Sequence, residues 1–109
     1  MIVYQYLGGL PKGAEQDDVE VRLVDCCLHF AHEPSRWQHR HGQRHPWAYD
    51  LHLADVSDIR VDPAAQQMVI TAEVDGSATS VVLQGKPAEL SRLRQEALLA
   101  RARTEERES

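Results

Sequence analysis

The chain has 109 residues, 42% of them hydrophobic and 27% charged, and it carries a formal net charge of −5. This length and composition are typical of one globular domain with a single core. The negative charge argues against a general nucleic-acid binder and disfavours an anionic membrane surface as partner, since both usually require a basic face. The N-terminus shows no basic segment followed by an apolar run, and no stretch reaches the roughly 18 apolar residues of a membrane span. We therefore expect a cytoplasmic protein.

Short stretches in which apolar and polar residues alternate dominate the chain before residue 85. A period of two predicts strands that are buried on one face. Seven strands are predicted, at residues 2–7, 19–23, 28–30, 47–53, 59–61, 68–74 and 81–83. In the fourth of these, the alternation directs Trp47, Tyr49 and Leu51 toward the core and His52 away from it.

Turn signals separate the predicted strands. Gly8-Gly9 ends the first strand, and Asp25-Cys26 forms a tight turn between the second and third. Asp75-Gly76 is the strongest hairpin signal in the chain, because both central residues of a type I′ turn need positive φ. The sequence therefore predicts a series of antiparallel strands joined by turns.

A helical period follows the last strand. Pro87 suits a first helical position, since its missing N–H would have no partner there. The apolar residues then fall on one stripe, with Leu98 at its edge and Leu99 on the opposite side: Leu90, Leu93, Ala97 and Ala100. We expect one domain over residues 1–104 that this helix caps, and a charged tail at 105–109 that frays.

The order of seven strands and a C-terminal helix resembles the pleckstrin-homology-like (PH-like) fold, in particular its small bacterial members. Four pieces carry the resemblance, at residues 6–11 (YLGGLP), 21–25 (VRLVD) running into 28–30 (LHF), 47–61 (WAYDLHLADVSDIRV) and 89–93 (ELSRL). Cys26-Cys27 departs from it, since related sequences often have a glycine at this turn, and so does a histidine-rich insertion. The resemblance implies a mainly β fold, a split barrel of two sheets capped by the helix. It also implies a binding scaffold for proteins, peptides or lipid headgroups.

The segment at 31–46 (AHEPSRWQHRHGQRHP) is the one electrostatic asymmetry in the sequence. It contains four of the six histidines and three arginines against a single acid, Glu33. With neutral histidines it carries +2, which leaves −7 for the rest of the chain. A basic, pH-sensitive loop on an acidic body is a candidate binding element.

Three interpretations of this loop stay open. The first is a solvated insertion without a ligand. The second is a site for an acidic or anionic partner, with Trp47 as a further anchor, built from Arg36, Trp37, His39, Arg40, His41 and Arg44. The third is a transition-metal site that uses His39, His41 and His45, although no recognised zinc-ligand spacing is present.

Other chemistries receive less support. Cys26 and Cys27 are neighbours, and a disulfide between neighbours closes a strained ring, so we interpret both as plain small residues. Asp55 and Asp58 are interpreted as turn and capping residues. The serines lack the glycines of a nucleophile elbow, and the glycines lack the spacing of a phosphate-binding loop. No catalytic residue, metal or cofactor is predicted.

The sequence therefore predicts a non-catalytic interaction module. It binds a protein or peptide partner through the basic loop and through an exposed strand edge, which could also pair with a second copy to form a homo-oligomer. A histidine-based metal or pH sensor is the leading alternative. An anionic lipid-headgroup binder is a further alternative, because a local basic patch can act on its own.

Overall fold

The alternation of buried and exposed residues produces seven strands and one long helix in the computed structural model, which describes residues 3–10, 17–32 and 47–108. The strands are β1 (Val3–Gly8), β2 (Asp17–Val24), β3 (Cys27–His32), β4 (Trp47–His52), β5 (Val56–Asp62), β6 (Gln67–Val74) and β7 (Ser77–Gln84). Helix α1 spans Pro87–Glu108, and a single 3-10 turn, Leu53–Asp55, joins β4 to β5. The prediction of seven strands and a C-terminal helix is confirmed.

All seven strands belong to one antiparallel sheet, in the order β4-β3-β2-β1-β7-β6-β5. The predicted division into two sheets is wrong, and so is the predicted barrel, because β4 and β5 are the two edges of the described sheet and do not pair. The 3-10 turn is the physical reason. Leu53 is fully buried and its N–H donates to the carbonyl oxygen of Cys26 at 2.9 Å, so the chain leaves β4 toward the β2–β3 turn and forms no hairpin with β5.

Strand β1 holds the two halves of the sheet together. Tyr4 lies opposite Val19 of β2, and Tyr6 lies opposite both Asp17 of β2 and Leu83 of β7. The register with β7 shifts between Tyr6 and Gly8, so β1 is irregular just beyond its last residue paired with β2. The two tyrosines bring both halves onto one core.

Gly9 fixes the end of β1 against β7. Its φ is +112°, and a Cβ at this position would lie 2.0 Å from the carbonyl oxygen of Ser80. Thr79 Oγ1 donates a hydrogen bond of 2.6 Å to the carbonyl oxygen of Gly9. Only glycine allows this backbone conformation and this approach together.

The core is mainly aliphatic, with Tyr6 and Phe30 as its largest fully buried aromatic residues. The hydroxyl of Tyr6 accepts a buried hydrogen bond of 2.6 Å from the backbone N–H of Leu10. His52 is exposed, as the alternation predicts. The Asp75-Gly76 hairpin is confirmed, since these residues have φ values of 52° and 80°.

Helix α1 begins at Pro87, as predicted, and packs chiefly against β5 and the 3-10 turn. Leu90, Leu93 and Ala97 are buried, whereas Leu99 is 53% exposed, so the predicted stripe is confirmed. The boundary between a domain at 1–104 and a tail at 105–109 remains a prediction. Within the described residues, no helix is long and apolar enough to cross a membrane.

We predict that Gly9→Ala destabilises the protein by roughly 3 kcal/mol or more, because it combines left-handed backbone strain with a clash against the β7 backbone. The free energy of unfolding in urea measures this loss. Gly76→Ala is the matched control, since Gly76 has φ +80° and nothing within 4 Å of a Cβ. The free energy of unfolding of the control should fall by only about 1 kcal/mol, which is the cost of the left-handed backbone alone. Equal losses in the two variants would show that the contact with Ser80 is unimportant.

Candidate functional site

The predicted partner-binding residues all lie outside the described residues, in the segment 33–46. They are Arg36, Trp37, His39, Arg40, His41 and Arg44. The first two residues of the predicted loop are described, and they belong to strand β3. The predicted boundary at residue 31 is therefore wrong by two residues, because Ala31 and His32 continue the pairing with Ala48 and Trp47 on β4.

His32 has a structural role. Its side chain is only 5% exposed, and its Nδ1 donates a hydrogen bond of 2.6 Å to the carbonyl oxygen of Asp18. Its ring lies 6.3 Å from the ring of Trp47. This histidine ties β3 to β2 and does not present its ring to a partner.

Trp47 also packs within the fold. Its ring makes a T-shaped contact with the ring of Tyr6, with 5.4 Å between the centroids, and it is half-buried against the core. The alternation that directs Trp47 toward the core is therefore confirmed. This packing leaves less of the ring available as an anchor for a partner.

The described residues bring together a group that the sequence interpretation treated as inert. Cys27 begins β3 and lies opposite His52 at the end of β4, and the turn at Asp25 and Cys26 places the second thiol beside them. The Sγ of Cys27 is 3.3 Å from Nδ1 of His52. The two sulfur atoms and an imidazole nitrogen all lie within 4.8 Å of one another, and we call these three residues the Cys-His cluster.

Two carboxylates, those of Asp25 and Asp50, lie near the Cys-His cluster. Burial raises the pKa of the Cys27 thiol above its ordinary value, and the neighbouring Cys26, Asp50 and Asp25 raise it further. Asp50 is held in place by Nδ1 of His29 at 2.5 Å, directly across the β3–β4 pair. The surroundings of Cys27 therefore favour its neutral thiol.

The cluster lies next to the C-terminal half of α1. A surface cavity of about 410 Å³ adjoins Cys26 and is lined by Asp25, Ala100, Arg103 and Thr104. Cys26 itself is exposed and Cys27 is partly exposed, and both are free thiols. Cys26 is therefore accessible from solvent on the side of this cavity.

Sequence reasoning missed the Cys-His cluster because the register of β3 with β4 was unknown. Cys27 and His52 are 25 positions apart, and the intervening segment does not reveal which residues of the two strands lie opposite each other. Two features of the sequence pointed toward the cluster. They were the adjacent cysteines and the prediction that His52 faces away from the core.

Strand β5 is the other notable surface. It is an edge of the sheet, and Arg94 of α1 donates a hydrogen bond of 2.8 Å from Nε to the carbonyl oxygen of Ile59. Cavities of about 700 and 520 Å³ lie beside this strand. Both are lined by Asp58, Arg60, Val61 and Pro63, and the smaller one also reaches α1.

Comparisons of the chain with protein-family profiles, with curated protein sequences and with solved structures find no match. The residues and geometry above therefore carry the functional interpretation by themselves.

We predict that alkylation of Cys27 by iodoacetamide has its pH midpoint above that of an ordinary cysteine, because the thiolate is the reactive species and its pKa is raised. The measurement uses Cys26→Ser protein, which retains Cys27 alone, in the presence of a chelator. Adding Asp50→Asn removes a negative charge and lowers the midpoint. An unchanged midpoint in the double variant would contradict the electrostatic influence of Asp50.

Proposed function

We propose that the protein is a non-catalytic interaction module of the PH-like kind that binds an extended segment of a protein partner along the edge of strand β5. The observation that carries the proposal is an edge strand with cavities beside it that share four lining residues. An added strand gains affinity from main-chain hydrogen bonds and specificity from pockets for its alternate side chains. The order of seven strands followed by a helix supports the PH-like assignment.

The backbone of β5 offers hydrogen-bonding groups on its outer side. The carbonyl oxygen of Ile59 accepts its hydrogen bond from Arg94, which lies on the helix and outside the sheet. In antiparallel pairing, residues two apart direct their backbone groups to the same side. Val61 therefore directs its N–H and carbonyl oxygen toward the same outer edge as Ile59.

The two cavities supply places for side chains of the added strand. The larger one is lined in part by Val61, Pro63 and Val69, and the smaller one by Ile59, Ser91 and Arg94. Successive side chains of an extended peptide point to opposite faces of the sheet. A peptide on β5 would thus place alternate side chains in the two cavities.

Arg94 protects this edge while no partner is bound. Natural proteins cover or charge their edge strands to prevent unwanted pairing, and the guanidinium on Ile59 does this here. The Arg60 Nε lies 2.7 Å from an oxygen of Asp58, which adds a charged pair along the same strand. A partner strand would replace the Arg94 bond with one from its own backbone N–H.

The basic loop is the second contact element of the proposal. Its arginines can form forked hydrogen bonds to carboxylates, and its positive charge on an acidic chain would steer an acidic partner toward the protein. Its proposed contact residues are Arg36, Trp37, His39, Arg40, His41 and Arg44. Charge steering acts mainly on the association rate, whereas strand pairing acts mainly on dissociation.

We predict that Val61→Pro weakens partner binding by at least about tenfold, because it removes an outward N–H and obstructs an added strand. Proline is tolerated at such a position of an edge strand, so the fold is retained. The measurement is quantitative mass spectrometry of proteins captured from the native cell extract by wild-type and variant protein. Val61→Ala is the matched control, since it shortens the same side chain but keeps the N–H.

Capture of the same proteins at the same level by Val61→Pro and Val61→Ala would rule out strand addition at β5. Sedimentation of the wild-type protein tests a second copy as the occupant, and dissociation of a dimer by Val61→Pro alone would assign the edge to self-association. Replacing Arg36, Arg40 and Arg44 by alanine tests the loop separately. It should lower the association rate and its salt dependence.

A further inference from the structure

We propose that Cys26, Cys27 and His52 form a binding site for a thiol-preferring divalent transition metal, zinc in particular, with the fourth coordination position open to solvent. Two cysteine sulfurs and one histidine nitrogen are a donor set that zinc uses in proteins, and three protein ligands with one open position are typical of accessible zinc sites. The site lies at the β2–β3 turn, shares no residue with the cavities beside β5, and does not depend on the proposed strand addition.

The donor atoms are close to the spacing that a tetrahedral metal requires. With usual zinc–sulfur and zinc–nitrogen bond lengths, the 3.3 Å between Sγ of Cys27 and Nδ1 of His52 corresponds to an angle of about 100° at the metal. Two thiolates on one tetrahedral zinc lie roughly 3.8 Å apart. The three donor atoms are already within 4.8 Å of one another, so a side-chain rotation at the exposed Cys26 can complete the geometry.

The backbone holds the three ligands in place. Antiparallel pairing sets Cys27 opposite His52, and the N–H of Leu53 donates to the carbonyl oxygen of Cys26 at 2.9 Å. The residue that follows His52 is thus bonded to Cys26 itself. Because the turn and the end of β4 are fastened to each other, binding a metal requires little ordering of the chain.

Carboxylates lie on the turn and the strand that carry the ligands. Asp25 precedes Cys26 in the turn, and Asp50 lies on β4 two residues before His52, with its carboxylate 2.5 Å from Nδ1 of His29. A dication binds the two cysteines as thiolates, and the two thiol protons pass to solvent. The cavity beside Cys26 leaves access for water or a small ligand at the fourth position.

The basic loop at 31–46 is a competing source of metal binding, and the experiment must separate it from the Cys-His cluster. The candidate ligands of the loop are the imidazoles of His39, His41 and His45 and include no thiol, whereas the cluster offers two thiolates. Cobalt(II) occupies zinc sites and reports thiolate ligands through intense sulfur-to-cobalt charge-transfer absorption. This absorption distinguishes the two sources directly.

The test is a titration of reduced, untagged, metal-free protein with Co²⁺, followed by displacement with Zn²⁺. We expect sulfur-to-cobalt absorption that saturates at one metal per chain and disappears when zinc is added. Cys26→Ser and Cys27→Ser should each weaken binding by at least roughly tenfold, because even outer-shell partners of a metal contribute about that much. His52→Gln should weaken binding similarly and alter the ligand-field bands.

The matched control replaces His39, His41 and His45 by glutamine, and it should retain the full sulfur-to-cobalt absorption. Cys26 and His52 are exposed, so their variants should keep the wild-type melting temperature without metal, which separates lost ligation from lost folding. The site is overturned if wild-type protein shows no such absorption, if both serine variants retain it, or if His52→Gln binds with wild-type affinity. Val61→Pro should leave the titration unchanged, so failure of this site and failure of strand addition are distinguishable.

Discussion

The rest of the structure depends on the simultaneous pairing of β1 with β2 and β7. Gln5 and Tyr6 pair with both neighbours at once, and the register with β7 shifts just after Tyr6. Gly9 then approaches the carbonyl of Ser80 more closely than any side chain would allow. Tyr6 stabilises the same end of β1 from the core side, because its hydroxyl accepts a hydrogen bond from the Leu10 N–H and its ring packs against Trp47. Strand β1 thus brings the two halves of the sheet onto one core.

The two unpaired edge strands of the sheet, β4 and β5, determine which surfaces are available for function. The 3-10 turn carries the chain from β4 to β5 without pairing them, and α1 packs beside the turn and β5. One consequence is an edge at β5 that a single arginine bond protects at Ile59. Another is the bond between Leu53 and Cys26, which brings His52 to the two cysteines. Both proposed activities thus arise from the way in which the chain leaves β4.

The two proposed activities require different chemistry at different places. Strand addition at β5 depends on backbone groups and on shallow cavities, so its specificity lies in the partner's side chains. The proposed metal site depends on the three donor atoms of the Cys-His cluster, so its specificity lies in the metal's preference for sulfur. The basic loop connects β3 to β4, the two strands that contain Cys27 and His52. The loop joins the end of β3 to the start of β4, whereas the cluster lies at the start of β3 and the end of β4.

The sequence by itself determined the local structure, because that structure depends on neighbouring residues. Alternation located the seven strands, Asp75-Gly76 specified its hairpin through positive φ, and Pro87 marked the start of the helix. Tertiary structure alone decided that the sheet stays open and that Cys27 lies opposite His52. Pairing across a long connection is set by the core as a whole, and a period of two leaves the partner residue undefined. The adjacent cysteines therefore looked inert in the sequence, and only the fold supplied the histidine beside them.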